Sequence, residues 1–334
     1  MKVLVVGGTR FMGRELTWRL LAGGHQVTLL NRGSHPDGFG ARVERLLGDR
    51  TADFARLVSG RAFDAAVDFA AFQGADARGV VEALRGRLGH YVLISTGQVY
   101  LVRADCPTPS REEDYDGPLM PAPPLGHPDR VDWEYGIGKR ACEDVLAEAW
   151  ARERFPATRL RLPMVNGERD HLRRLEGYLW RMLDGGPLLV PTGGGPRVRH
   201  VYAGDVVRSV GSLLGREAAF GRAYNLCQDE TPTLAELLGL VGEVVGSAAP
   251  LVPVSAEELA AEGLDPVAVS PFSGRWMSFL EPERARRELG FRHRPLRAYL
   301  EAIVSCFLAH SPAEPPPEYS GRPQERALGA RRSG

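Results

Sequence analysis

Lysine is nearly missing from this chain. Of 42 basic residues only Lys2 and Lys139 are lysine, and arginine supplies the rest. Arginine serves almost everywhere else, so Lys139 marks a place that calls for a compact ammonium rather than a planar guanidinium. Cysteine is also sparse: Cys106, Cys142, Cys227 and Cys306 lie far apart and form no CxxC pair. That excludes a disulfide framework and a zinc ribbon, and reads as reduced thiols in a cytoplasmic protein. The 8 histidines include no HExxH-type spacing, so no metal site is expected. No apolar run approaches the roughly 18 residues of a membrane span, and the N-terminus enters a strand directly, so neither a signal peptide nor a membrane segment is expected. Net charge is missing too, since 42 basic residues balance 42 acidic ones, which argues against a broad nucleic-acid footprint. What remains, 334 residues with 43% hydrophobic and 25% charged, suits a globular chain with one large core or two modest ones.

The opening carries the strongest local pattern. Val3 to Val6 form a β-branched apolar run, Gly7 and Gly8 break it, Leu16, Leu20 and Leu21 recur at helical spacing, and Val27 to Leu30 make a second strand after Gly23 and Gly24. A strand, a glycine turn, a helix and another strand within about 30 residues form the unit that sets a pyrophosphate on a helix N-terminus. Strands and helices then alternate to about residue 165, which predicts a doubly wound parallel α/β sheet of Rossmann type.

Residues 133–149 (WEYGIGKRACEDVLAEA) read as a helix, which stands Tyr135 and Lys139 at i and i+4 on one face. A tyrosine working as general acid or base near neutral pH needs its phenol brought down from about 10, and a nearby compact cation does this. The competing reading is a surface tyrosine beside a surface lysine.

The glycine turn, a hydroxyl at the end of a later strand and the Tyr-x-x-x-Lys pair together resemble the extended short-chain dehydrogenase/reductase family. GGTRF and the NRG after the second strand are similar to its NAD-dependent epimerase/dehydratase branch, the group of NDP-sugar epimerases, which also holds chloroplast RNA-binding relatives. The likeness runs over roughly residues 1 to 310. It implies catalytic roles for Thr96, Tyr135 and Lys139, with Thr96 chosen over Ser95 as the hydroxyl on the substrate oxygen. It implies cofactor contacts from Gly7, Thr9, Arg10, Phe11, Met12 and Gly13 in the turn, from Phe69, Ala70 and Ala71 after the fourth strand, from Ser95, Tyr135 and Lys139, and from Pro163, Met164 and Val165 after the sixth strand (158–167). Asp49 and Arg50 match residues near the adenine, although Asp49 is equally placed to cap the next helix. Substrate contacts fall on Thr96, Gln98, Asn166, Arg197 and Arg199, with Arg275 and Trp276 a weaker pair of the same kind.

NAD selection usually rests on an acid after the second strand that binds the ribose 2′-hydroxyl. Asn31 stands there, Arg32 follows and Arg10 lies in the turn, so NADP(H) is expected over NAD(H). Arg10 packed over the adenine or pointed to solvent is the other reading. Relatives that dehydrate sugars place Asp-Glu directly after the threonine, whereas Gly97 and Gln98 follow Thr96 here. The resemblance therefore implies interconversion of an alcohol and a ketone by hydride transfer on a nucleotide-activated sugar or related small metabolite, as a C4-type epimerase or a ketoreductase and not a 4,6-dehydratase, in a possible homodimer. A non-catalytic dinucleotide- or RNA-binding member is the alternative.

The domain expectation is residues 1–167 plus about 199–226 for the dinucleotide-binding part, and about 168–198 plus 227–310 for a substrate lobe. Residues 102–130, with seven prolines and an acidic cluster, read as a loop over the active-site mouth or an irregular insertion. The proline- and arginine-rich tail 311–334 is expected to be mobile or to lie along the surface.

Overall fold

The structure, a computed structural model, describes residues 1–192 and 197–333, so 193–196 in the expected PTGGGPR turn lie outside the described residues. Two compact units divide the chain: Met1–Val165, Ala203–Cys227 and Ser278–Arg292 in the first, Asn166–Tyr202, Gln228–Met277 and His293–Gly334 in the second. In chain order the strands are β1 (Lys2–Val6), β2 (Gln26–Asn31), β3 (Val43–Leu47), β4 (Ala65–Asp68), β5 (Tyr91–Thr96), β6 (Ala157–Leu162), β7 (Val165–Asn166), β8 (Leu188–Pro191), β9 (Val201–Tyr202), β10 (Ala223–Asn225) and β11 (Leu251–Val254). The helices are α1 (Phe11–Ala22), α2 (Arg50–Leu57), α3 (Gly74–Leu84), α4 (Gln98–Leu101), α5 (Arg130–Glu153), α6 (Arg174–Leu183), α7 (Ala203–Leu213), α8 (Leu234–Val245), α9 (Ala256–Ala261), α10 (Pro266–Val269), α11 (Glu283–Leu289), α12 (Leu296–Ala309) and α13 (Arg322–Ser333).

The first unit holds a 7-stranded sheet in the order β10-β6-β5-β4-β1-β2-β3, and its strand pairs are parallel. This is the Rossmann-type α/β fold. Strands covered on both faces read as unbroken apolar runs, and Val3, Leu4, Val5 and Val6 are buried accordingly. Strand order reverses between β1 and β4, where such sheets open a crevice at their carboxyl ends. Asp49 caps α2 by accepting the N–H groups of Thr51 and Ala52. Gln73 and Asp76 form a capping box on α3.

Several expectations need correction. The sixth strand ends at Leu162 rather than running through 167, because Pro163 has no N–H to continue the ladder. Helix α5 extends the expected 133–149 at both ends. Ser278–Arg292, assigned by sequence to the substrate lobe, returns to the first unit, where Leu280 packs with Val99, Tyr100 and Cys227. The first half of the 102–130 loop is built into the same unit: the buried Glu112 accepts the N–H of Asn225, and Ser110 donates its N–H to Phe279 O.

The second unit pairs β8 with β11 in parallel, and its apolar cluster joins Leu189, Val252, Val254, Leu259 and Val269 to Leu328 of α13. The tail is therefore helical and packed rather than mobile. Its arginines turn inward: Arg322 meets Asp184 at 2.6 Å and Glu325 at 3.1 Å, and Glu325 meets the buried Arg181 of α6 at 2.6 Å. Composition counts charge as solvated; here opposite charges satisfy one another inside the unit. Among the described residues no helix is long and apolar enough to cross a membrane.

Candidate active site

Helix α5 carries Tyr135 and Lys139 one turn apart, and glycine lets it lie close to the sheet. A methyl group on Gly138 would stand 2.3 Å from Phe72 O, and one on Gly136 would stand 2.9 Å from Gln98 O. The Lys139 side chain runs inward until 1% of it is exposed, and its Nζ donates to Ala71 O at 2.8 Å and Ile94 O at 2.6 Å. Those carbonyls belong to the turn after β4 and to β5, so one ammonium joins both strand ends to α5. Burial lowers the Lys139 pKa, while Cys142, Asp68 and Glu143 oppose the shift. Tyr135 is half-buried, with its ring 6.2 Å from that of Phe72.

Successive strand residues face opposite ways, and this separates Ser95 from Thr96 at the end of β5. Thr96 is half-buried, and its hydroxyl accepts the Gln98 N–H at 3.2 Å. Ser95 points into the unit and donates its hydroxyl to Glu143 at 2.5 Å. Glu143 is in turn held by Arg161 of β6 at 2.7 Å, and Arg161 donates to the Tyr100 hydroxyl at 2.6 Å. Burial alone would raise the Glu143 pKa; the Arg161 guanidinium outweighs it and keeps the carboxylate below its usual range. Glu143 was missed in the sequence, although it lies one turn beyond Lys139 and Arg161 is a charge inside an apolar strand. Asp132, which accepts from Gln98 Nε2 at 2.9 Å, was missed as well.

The glycine turn fits a dinucleotide. A methyl at Gly13 would stand 2.4 Å from Gly7 O, so α1 begins directly against the turn that ends β1, the arrangement that presents helix N–H groups to a pyrophosphate. Thr9 and Met12 are half-buried and Arg10 is exposed at the N-cap of α1, while Phe11 takes a positive φ of 43°. Asn31 accepts the Gly33 N–H at 2.8 Å, and its Nδ2 is buried with no partner among the described residues. That amide is a donor awaiting an acceptor oxygen, which a ribose hydroxyl or a 2′-phosphate would supply; Arg32 beside it is exposed. Phe69 donates its N–H to Val6 O and Ala70 donates to Asp68, which fixes the turn carrying the buried Ala71. The Arg50 guanidinium meets Asp68 at 2.5 Å and Asp76 at 3.5 Å.

The remaining nominated residues are divided between the units. Pro163 and Val165 are buried and Met164 is half-buried at the end of the first segment. In the second unit the Asn166 amide meets His200 Nδ1 at 2.9 Å, Arg197 donates to Thr231 O at 2.6 Å, and Arg199 is half-buried. The Arg275 guanidinium lies 5.1 Å over the Trp276 ring. Burial pushes the His200 pKa down to about 3, so its imidazole is neutral.

Fold and site together define a Rossmann-type protein with the hydroxyl, tyrosine and lysine set of a short-chain dehydrogenase/reductase. The chain belongs to the NAD-dependent epimerase/dehydratase family, whose model matches residues 3–227. It is similar to 2′-dehydrokanamycin reductase from Streptomyces kanamyceticus, at 29% identity over 283 residues covering 83% of this chain and 75% of that one. It is also similar to the chloroplast stem-loop binding protein of 41 kDa b from Arabidopsis thaliana, at 26% identity over 247 residues covering 70% of this chain and 60% of that one. Among solved structures, a UDP-glucose 4-epimerase from Thermotoga maritima with UDP-glucose superposes with a TM-score of 0.73 at 19% identity, covering 92% of this chain and 99% of that chain.

Proposed function

We propose that the protein is a ketoreductase that takes NADPH and reduces a ketone on a sugar or sugar-bearing metabolite. Asn31 carries this reading: where an acid would select NAD, a buried amide donor stands without a partner among the described residues, with Arg32 beside it. An amide removes the repulsion that a carboxylate would exert on a 2′-phosphate, and arginine adds charge-assisted hydrogen bonds. An NADPH-using enzyme exchanges its cofactor at every turnover, which suits net reduction rather than redox-neutral epimerisation. The similarity to a 2′-dehydrokanamycin reductase supports the same choice, and Gly97 and Gln98 after Thr96 speak against dehydration.

Gly7, Gly13, Asn31, Ala70 and Lys139 would hold the dinucleotide. When bound, it supplies the hydride. Thr96, whose hydroxyl oxygen already accepts from Gln98 N–H, turns its own O–H toward the substrate oxygen. Tyr135 gives that oxygen its proton, and the Lys139 ammonium on the same helix face favours the phenolate left behind.

The test is to purify the protein without added cofactor, denature it, identify any released dinucleotide by mass spectrometry, and titrate the empty form with NADPH and NADH. An empty protein that binds NADPH more tightly is expected. Retained NAD⁺ would overturn the reading in favour of an epimerase.

A further inference from the structure

Gln98 and Asp132 lie outside the catalytic set yet adjoin it, Gln98 at the Thr96 hydroxyl and Asp132 on the helix that carries Tyr135. Gln98 gives its main-chain N–H to Thr96, and Asp132 precedes Tyr135 by three residues on α5, hence on the same helix face. Their side chains meet at 2.9 Å, and both are half-buried. The close approach of Gly136 to Gln98 O brings the short helix α4 near enough for this contact.

The chemistry of that contact sets the orientation of the amide. A carboxylate accepts hydrogen bonds and cannot donate one, so the Gln98 NH₂ must face Asp132 and the amide oxygen must face away. Gln98 Oε1 and Asp132 Oδ2 then remain as two acceptor oxygens, one of them anionic. Thr96 is oriented the opposite way, because its oxygen accepts from Gln98 and its O–H is left to donate. Thr96 thus keeps a donor for the reacting oxygen, and the Gln98–Asp132 pair keeps acceptor oxygens for a neighbouring group.

We propose that Gln98 and Asp132 form a specificity subsite for a hydrogen-bond donor on the same sugar ring as the ketone, either a hydroxyl or an ammonium group. Asp132 acts as the positioning residue that holds the Gln98 amide in its acceptor orientation. The proposal rests on the ketoreductase reading and adds to it the polarity of the substrate. Ring substituents that only accept, such as methoxy groups, would face two acceptor oxygens with no proton between them.

The test uses the full-length enzyme with NADPH and a panel of methyl keto-glucosides. Each has its other ring hydroxyls free, or has one of them replaced by a methoxy or an amino group. For one ring position the methoxy compound should lose about 10- to 100-fold in kcat/KM, the range of a hydrogen bond to a charged acceptor, chiefly through KM. Asp132→Asn, which frees the amide to turn, should collapse that ratio toward one, and Gln98→Leu should do the same. Retention of the ammonium compound, with selective loss of it in Asp132→Asn, would identify an amino sugar; equal behaviour of hydroxyl and amino compounds would identify a neutral one. Wild-type enzyme indifferent to the methoxy replacement at every position, or Asp132→Asn with the ratio intact, would overturn the subsite while leaving the ketoreductase standing. Failure to reduce any ketone of the panel would remove both.

Discussion

Each unit of this protein buries an arginine–glutamate pair, and the two pairs do different work. Arg161 and Glu143 are close in sequence and tie α5 to the ends of β5 and β6, directly behind Thr96 and Lys139. Arg181 and Glu325 lie 144 residues apart and fasten the C-terminal helix to α6, with Arg322 and Asp184 completing the cluster. The first pair sets the spacing of reactive groups, and the second closes a fold. Buried ion pairs give little net stability over apolar packing, yet removing one partner strands a charge. The same chemistry can therefore serve alignment in one place and closure in another.

The sharpest test of this contrast is to break each pair. Glu143→Ala and Glu325→Ala should each cost about 3–5 kcal/mol, the penalty of an uncompensated buried charge, measured by denaturant unfolding. At temperatures where both variants remain folded, only Glu143→Ala should also lower kcat. An equal fall in kcat for Glu325→Ala would erase the distinction.

Direct removal of the chemistry comes next. Tyr135→Phe should lower kcat roughly 1000-fold with unchanged melting, and Lys139→Arg roughly 100-fold, both within the span of lost acid–base catalysis. Near-normal turnover in Lys139→Arg would mean that the rare lysine is a structural tie alone.

Acid should strike both units together, because each holds a buried neutral histidine. Burial lowers the pKa of His90 to about 4 and of His200 to about 3, against an ordinary value of 6.5. Above about 6.5 neither group binds a proton in either state. As the pH falls below that, the unfolded chain takes up protons that the folded one refuses, so stability declines by about 1.4 kcal/mol per pH unit for each histidine. Unfolding free energy measured from pH 7 to 4.5 should show this slope, and His200→Gln should halve it. The smallest effect belongs to Asp49→Ala, about 1 kcal/mol for a lost helix cap. A rise in the KM for the dinucleotide without loss of stability would instead return Asp49 to the adenine.

How much of this is legible in the sequence follows from the range of the interactions. The β1–α1–β2 opening is legible because buried parallel strands are unbroken apolar runs and the turn between them is glycine. The placement of Tyr135 and Lys139 on one helix face follows from local periodicity. The resemblance chose Thr96 over Ser95, and strand alternation, with Glu143 on the inner side, gives the physical reason that the two hydroxyls part. Ser278–Arg292 is too short and too distant in sequence for any pattern to return it to the sheet. The tail misleads for a physical reason: proline and arginine usually signal hydration, and nothing local reveals that Asp184 and Arg181, more than 130 residues earlier, are there to receive Arg322 and Glu325.

The glycines of α5 bear on how this protein could be engineered for heat. Replacing helical glycine with alanine is a common route to thermostability, worth up to about 1 kcal/mol per site. At Gly79, Gly211 and Gly239 an added methyl would meet open space, and the exchange is sound. At Gly136 and Gly138 it would wedge the helix away from Gln98 and Phe72. A consensus-minded design that treated all five alike would gain melting temperature at three positions and blunt the catalyst at the other two.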